Sequence, residues 1–181
     1  MGRLGYSPAS FPPLSVTGIM DTRSFRNALG SFATGVTIVS GLDGAGKPVG
    51  STVNSFNSVS LTPPLILFSL ARETSASAQH FGVGKPFVIN VLAAGQIDLS
   101  NHFAKRFDDK WTGIPFDVWD TGAPVIPGAL ASFEGLVTAN YEGGDHIIHL
   151  GEVRRMLVNE GDVAPLLYFK GRYAGVAHSD K

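Results

Sequence analysis

Between Gly35 and Lys170 the chain is cut into short β-branched or apolar runs by clusters of turn formers, and that rhythm leaves little freedom of fold. The run VTIVSG at 36–41 ends in Asp43-Gly44-Ala45-Gly46-Lys47-Pro48, and an extended pattern resumes at 49–53, which predicts a hairpin. Asn57–Leu61 and 65–70 read as strands broken at Pro63-Pro64, because proline cannot donate to a central ladder. A further strand is expected at 87–92. The last third adds 129–141, His146–Val158 and 166–170, with Gly143-Gly144-Asp145 and Glu160-Gly161-Asp162 as the turns between them. Helical signals are fewer. Phe25, Ala28, Leu29, Phe32 and Ala33 recur at helical spacing behind the capping residues Asp21, Thr22 and Ser24, and 74–81 and 96–107 also read as helices. Many short strands with few helices predict a mainly β, α+β chain closed into an antiparallel barrel with flanking helices, not a doubly wound sheet. Residues 110–128 lack periodicity and are expected to form a long loop that packs on or covers something.

A chain of 181 residues suits one domain, expected over 21–181. Residues 1–20 carry Pro8, Pro12 and Pro13 without periodicity and read as a tail or arm. The 14 basic and 15 acidic residues leave a net charge of −1, which argues against nucleic-acid binding or a polybasic membrane patch. Charged residues are only 16% against 44% hydrophobic, so part of the surface is expected to meet another copy of the chain. The absence of cysteine excludes disulfides, thiolate metal sites and a cysteine nucleophile. No apolar stretch reaches the roughly 20 residues a bilayer requires and no leader pattern is visible, so a cytoplasmic protein is expected.

Two apparent motifs dissolve on inspection. Gly41 to Lys47 has the spacing of a phosphate-cradling loop, but Pro48 stands where the magnesium-holding hydroxyl belongs and a strand follows in place of a helix. His146 and His149 suggest a metal pair, yet side chains three apart on a strand point to opposite faces, and no metal site is assigned. His149 shares parity with Ile147 and Val153 and reads as a core or interface histidine. His146 follows the Gly-Gly-Asp turn at the mouth of its strand, where a side chain can reach into a cleft.

Three segments carry candidate binding chemistry. Residues 51–59, STVNSFNSV, concentrate hydroxyl and amide groups between two strands and could meet the polar edge of a flat heteroaromatic ligand, or simply face water. Arg72-Glu73-Thr74-Ser75-Ala76-Ser77 sits at an expected helix start, which suits an anion or ordinary N-capping. His102 to Phe107 joins aromatics to cations near a helix end, as a solvated face or a second anion clamp.

Taken together, SFATGVTIVSG (31–41), STVNSFNSVSLTPPLILFSL (51–70), FVINVL (87–92), FAKRF (103–107), GAPVIPGALASFEG (122–135), GGDHIIHLGEV (143–153) and PLLYFKGRY (165–173) resemble, in order and spacing, the flavin reductase domain family. The likeness is to the small reductase components of two-component flavin-dependent monooxygenases. It implies an FMN-binding split β-barrel of antiparallel Greek-key type, working as a homodimer with the cofactor near the subunit interface. It further implies that Ser51, Thr52, Asn54 and Ser55 lie along the isoalloxazine edge, that Ser75 and Ser77 take the phosphate region, and that Phe103, Ala104 and Lys105 also contact flavin. His146 resembles the family histidine associated with nicotinamide-nucleotide binding. The implied activity is NAD(P)H:flavin oxidoreduction on FMN or FAD, with reduced flavin released to a separate monooxygenase. A flavin-binding or storage protein of the same fold is the alternative. NADH is favoured over NADPH because no arginine pair stands out as a clamp for the extra phosphate. No acid or base residue is assigned. Many relatives carry cysteine after the residue matching Glu134, where Gly135 stands here, and altered packing, not altered chemistry, is the expected consequence.

Overall fold

The computed structural model describes residues 21–73, 78–106 and 109–176. In chain order the elements are α1 (Thr22–Leu29), β1 (Thr34–Gly35), β2 (Thr37–Leu42), β3 (Pro48–Val53), β4 (Asn57–Leu61), β5 (Pro64–Ala71), β6 (Pro86–Val91), α2 (Ile97–Ala104), β7 (Asp117–Val118), β8 (Pro124–Val125), β9 (Ala131–Gly143), β10 (His146–Val158), β11 (Leu167–Phe169) and β12 (Arg172–Ala174). The main sheet runs β3-β2-β6-β9-β10-β5-β4, with β1-β11-β12 and β7-β8 as small separate sheets. The hairpins β2–β3, β4–β5 and β9–β10 form, whereas the turn expected at 160–162 leads from β10 to β11, which pairs with β1 and β12 in a separate sheet. In the first, Asp43 Oδ1 accepts from Ala45 N and Lys47 N at 2.8 Å each, and Gly46 supplies the positive φ, so the apparent phosphate loop is a self-satisfied turn. β5 and β6 are separated in the sheet by the β9–β10 hairpin, a connection of Greek-key type.

The predicted closure is not found. The ladder is open, with β3 and β4 as its edges. The pairing of β4 with β5 stops at Leu67, and beyond it Ser55 Oγ donates to Ser69 O and accepts from Ser69 N, both at 2.9 Å, so a side chain fills the ladder place beside Ser69 that strand backbone would otherwise take. The barrel is therefore split along the β3–β5 seam.

Inside, Val39, Phe68, Phe81, Phe87, Ile89 and Val137 form the main core, and Val36, Ile38, Leu92, Phe103, Trp111 and Leu166 a second cluster under α2. Asn90, fully buried on β6, shows how the sheet tolerates a polar core residue. Its Nδ2 donates to Ile38 O and Ser40 Oγ, and its Oδ1 accepts from Ile126 N and Ser132 Oγ, so every amide valence is used.

The helices are shorter than expected. α1 is capped by Asp21, which accepts from Arg23 N and Ser24 N, and stops at Gly30. None of its residues is buried, and Phe25, Leu29 and Phe32 are exposed, so the apolar stripe seen in the sequence faces away from this chain's core. α2 covers only Ile97–Ala104 of the predicted 96–107, because the chain leaves helical dihedrals at Lys105. Of the helix expected at 74–81, a single 3₁₀ turn at Ala78–His80 is found; residues 74–77 lie outside the described set. The 110–128 loop is no free lid. Ala123, Val125 and Ile126 are buried, and Trp111 packs on Phe103 with ring centroids 4.7 Å apart.

The two histidines of β10 separate as strand parity requires. His149 is fully buried and stacks on Phe68 at 4.9 Å, its Nδ1 within 3.0 Å of Phe81 O and 2.9 Å of Asn140 Oδ1. Two acceptors at Nδ1 place the proton there, which leaves Nε2 buried with no hydrogen-bond partner among the described residues. Desolvation lowers the His149 pKa below the usual histidine value. The unfolded chain therefore takes up a proton that the fold refuses as pH falls through about 6.5, and stability declines with it. The melting temperature is expected to drop between about pH 7 and pH 5, and H149Q to flatten that drop in a differential scanning series. A drop of equal size in H149Q would assign the pH dependence to other groups.

Candidate functional site

At the split, a cleft of about 340 Å³ opens between the ends of β3 and β5. β3 and the link after it supply Ser51 to Ser55, β5 supplies Ser69 to Ala71, and the end of α2 supplies Phe103 to Arg106. Lys110 and His146 complete the wall. The sequence-predicted residues Ser51, Thr52, Asn54, Ser55, Phe103, Ala104, Lys105 and His146 are thus brought together, although 95 positions separate Ser51 from His146 along the chain. Ser75 and Ser77 lie outside the described residues. Arg106, one of the two cations of the 102–107 segment, also lines the cleft, and missed by sequence reading were Ser69, Leu70, Ala71 and Lys110. The first three look like any half-buried strand, and Lys110 sits in a segment with no pattern to assign its direction.

The side chains divide into those that build the wall and those that face the opening. Thr52 Oγ1 donates to Ser100 O at 2.7 Å and so ties β3 to α2. Ser55 is committed to Ser69 as described. Neither hydroxyl is spare, which means that these two residues shape the edge more than they offer it side-chain bonds. Gly50 makes the close approach possible: a Cβ there would lie 3.0 Å from Phe103 and 3.1 Å from Trp111. Phe103 is buried, whereas Lys105 and Arg106 at the helix end are exposed.

Lys110 is half-buried, and its Nζ donates to Phe103 O at 2.8 Å and Gly50 O at 3.3 Å. Burial lowers its pKa below the ordinary lysine value. The segment carrying it is fixed by Asp109, which accepts from Trp111 N, Thr112 N and Thr112 Oγ1, and by His102 Nε2, 2.8 Å from Lys110 O.

His146 pairs with Ala71 across β10 and β5, which sets it at the cleft rim. Its Nδ1 lies 2.7 Å from Asp145 Oδ1, and the imidazole beside it holds the Asp145 carboxyl below the usual carboxylate range. Arg72, expected near an anion, pairs its guanidinium with Glu142.

An apolar floor of Val53, Leu70, Phe103 and Ala104, a polar rim, and cations at one end form a donor set suited to a flat heteroaromatic group that carries an anionic tail. A flavin nucleotide has that chemistry, so the residues present fit it. Among the described residues no group of three His, Asp or Glu side chains is placed to hold a metal ion. Nor is any helix among them long and apolar enough to cross a membrane.

Residues 29–177 match the family model of the flavin reductase like domain. The chain belongs to that family. This flavin reductase domain is 45% identical over 161 residues to the FMN reductase (NADH) SmoA of Agrobacterium fabrum, covering 87% of this chain and 88% of that one. It is 36% identical over 158 residues to HsaB, the reductase subunit of a flavin-dependent monooxygenase of Mycobacterium tuberculosis, covering 87% and 83%. Among solved structures, the NADH:FAD oxidoreductase SgcE6 of Streptomyces globisporus, in complex with NAD and FAD fragments, superposes with a TM-score of 0.81 at 35% identity, over 89% of this chain and 96% of that one. The family and the split-barrel architecture named from the sequence are thereby shown, and the flavin reductase domain presents its cleft where the barrel opens.

Proposed function

We propose that this chain is an NADH-dependent flavin reductase that binds FMN or FAD in the β3–β5 cleft and hands the reduced flavin to a separate monooxygenase. The observation that carries the reading is the single cleft that gathers the 51–55 run, the 103–106 helix end and His146. When bound, the flavin supplies the two-electron acceptor, taking hydride at N5.

Around it the protein's work is positional and electrostatic. The Val53, Leu70 and Phe103 surface takes the flat ring face and excludes water, and the polar groups and backbone of Ser51 to Ser55 orient its edge. Lys105, with Arg106 and Lys110, brings positive charge to a site that must hold phosphate and tolerate added electrons. Ser75 and Ser77 take the phosphate region in this reading. His146, braced by Asp145, orients the nicotinamide nucleotide at the rim. No side chain is required as acid or base, because reduced flavin exchanges its protons with solvent.

Support for release to a partner comes from HsaB, itself the reductase subunit of a monooxygenase. Support for a homodimer comes from the exposed Phe25 and Leu29 on α1 and Phe32 just beyond it, together with the low charged fraction of 16%. We read 21–181 as one domain, 1–20 as an arm, and the protein as cytoplasmic.

Purified chain mixed with NADH and FMN or FAD in air is expected to consume NADH saturably and only when flavin is added. In H146A the KM for NADH is expected to rise about 10-fold, near the loss of one good hydrogen bond, with flavin affinity changed less than about 2-fold. Flavin binding without NADH consumption would overturn the reductase reading and leave a flavin-storage protein. An unchanged KM in H146A would remove His146 from nucleotide binding.

A further inference from the structure

The wall formed by Thr52, Val53 and Asn54 has a second side. Behind it lies a cleft of about 210 Å³ lined by Val36, Thr52, Val53, Asn54, Ser100, Ala104, Tyr168 and Tyr173. Four of these residues, Thr52, Val53, Asn54 and Ala104, also line the first cleft, so the two spaces adjoin across one strand end. Their chemistry differs sharply. The first carries Lys105, Arg106, Lys110 and His146, whereas the second has no lysine, arginine, histidine or carboxylate in its lining. A phosphate has no counter-charge there. A neutral, flat group with hydrogen-bonding edges does have partners, in two aromatic rings and in the exposed amide side chain of Asn54, while the Thr52 and Ser100 hydroxyls are already engaged within the wall.

Both tyrosines are held before any ligand arrives. Tyr168 and Tyr173 meet edge to face with centroids 5.7 Å apart, and the half-buried Tyr173 places its hydroxyl 2.9 Å from Asn101 Oδ1 and 3.0 Å from Ser100 Oγ. They project from β11 and β12, short strands joined by a turn at Lys170 and Gly171 where both residues adopt positive φ. Rigid rings beside a cleft can stack a planar base with little ordering cost.

We propose that this second cleft binds the adenine base of a dinucleotide whose reactive half occupies the first. The proposal rests on the flavin reductase reading and deepens it, since it makes Tyr168 and Tyr173 specificity residues of the same site. Two dinucleotides carry adenine here, FAD and NADH, and separate arms of one experiment distinguish them.

Dissociation constants for FMN and FAD are measured by flavin fluorescence on the purified full chain, its Y168L variant, which removes the ring and keeps apolar bulk, and its Y168F variant, which keeps the ring. KM values are measured for NADH and for reduced nicotinamide mononucleotide, which lacks the adenylate. If the base is that of FAD, Y168L weakens FAD roughly 10-fold and FMN less than about 2-fold, while Y168F resembles the parent. If it is that of NADH, the same variant raises the KM for NADH by a similar factor and leaves reduced nicotinamide mononucleotide and the FAD-to-FMN ratio unchanged. Where Y168L does not fold, Y173L carries the same comparison. Equal weakening of FMN and FAD with equal effects on both reductants, or no shift in either arm, overturns the proposal. Failure of the parent chain to bind FMN overturns the flavin reading itself, and this subsite with it.

Discussion

Replacing Gly135 with alanine is expected to cost about 3 kcal/mol of folding stability, at the upper end for overpacking a core. A Cβ at Gly135 would lie 2.0 Å from Glu152 O and 2.8 Å from Cζ of Phe87. The first of these is backbone, and it cannot swing aside as a side chain can. β9 is paired on both edges at this point, Gly135 opposing Phe87 on β6 and Val153 on β10, so relief on one side disturbs a ladder. Phe87 itself has no exposed surface and also lies over Gly151, where a Cβ would come within 2.2 Å of its ring. Two glycines on neighbouring strands thus make the seat for one aromatic ring. Urea titration of G135A measures the effect, and G44A, at a turn position where an added Cβ meets nothing within 4 Å, is the control expected to change stability by less than about 0.5 kcal/mol. A G135A loss below about 1 kcal/mol would mean that the β9–β10 pair can spread, contrary to this account. The departure at Gly135 noted in the sequence is in these terms a packing feature, since any side chain there requires β10 to stand farther off.

The second large effect is expected at Lys110. K110M should lower stability by about 2 kcal/mol and flavin affinity roughly 10-fold. Its Nζ satisfies Phe103 O, one of the last carbonyls of α2, together with Gly50 O on β3, and methionine can donate to neither. Two of the three ammonium donors are used in this way, which leaves one for the cleft that Lys110 lines. Removing it both unties α2 from β3 and takes positive charge from the site. K110R keeps the charge and is expected to restore much of the binding, whereas a merely structural tie would show stability loss with flavin affinity intact. Denaturation and fluorescence titration on the same samples separate these outcomes. Flavin binding by K110M equal to that of the parent would exclude Lys110 from the site.

Much of this was legible along the chain. The alternation of β-branched runs with Gly, Pro and Asp clusters located β2, β3, β4 and β10 within a residue or two, because a strand's turn chemistry is local. Parity alone separated the core histidine His149 from the rim histidine His146, since strand geometry puts residues three apart on opposite faces whatever the fold. What local pattern misjudged was extent and closure. The 96–107 periodicity continued past Ala104, but tertiary ties to β3 and Lys110 end α2 there. The segment of α1 and the turn after it has the stripe of a core-facing helix, yet Phe25, Leu29 and Phe32 are exposed, because a stripe records that a face is apolar and not what covers it.

The sequence by itself determined the class of fold, the family, and most of the side chains that now line one cleft, because turn formers, strand parity and motif order are properties of neighbouring residues. Only the tertiary structure decided that the barrel is split where the Ser55 hydroxyl replaces a strand, that Thr52 and Ser55 build the wall instead of facing the opening, that Lys110 joins the site, and that a second, uncharged cleft lies behind it. Each of these depends on which distant segments meet. A hydroxyl or an ammonium has several possible partners, and the choice among them is made by packing, which no local pattern encodes.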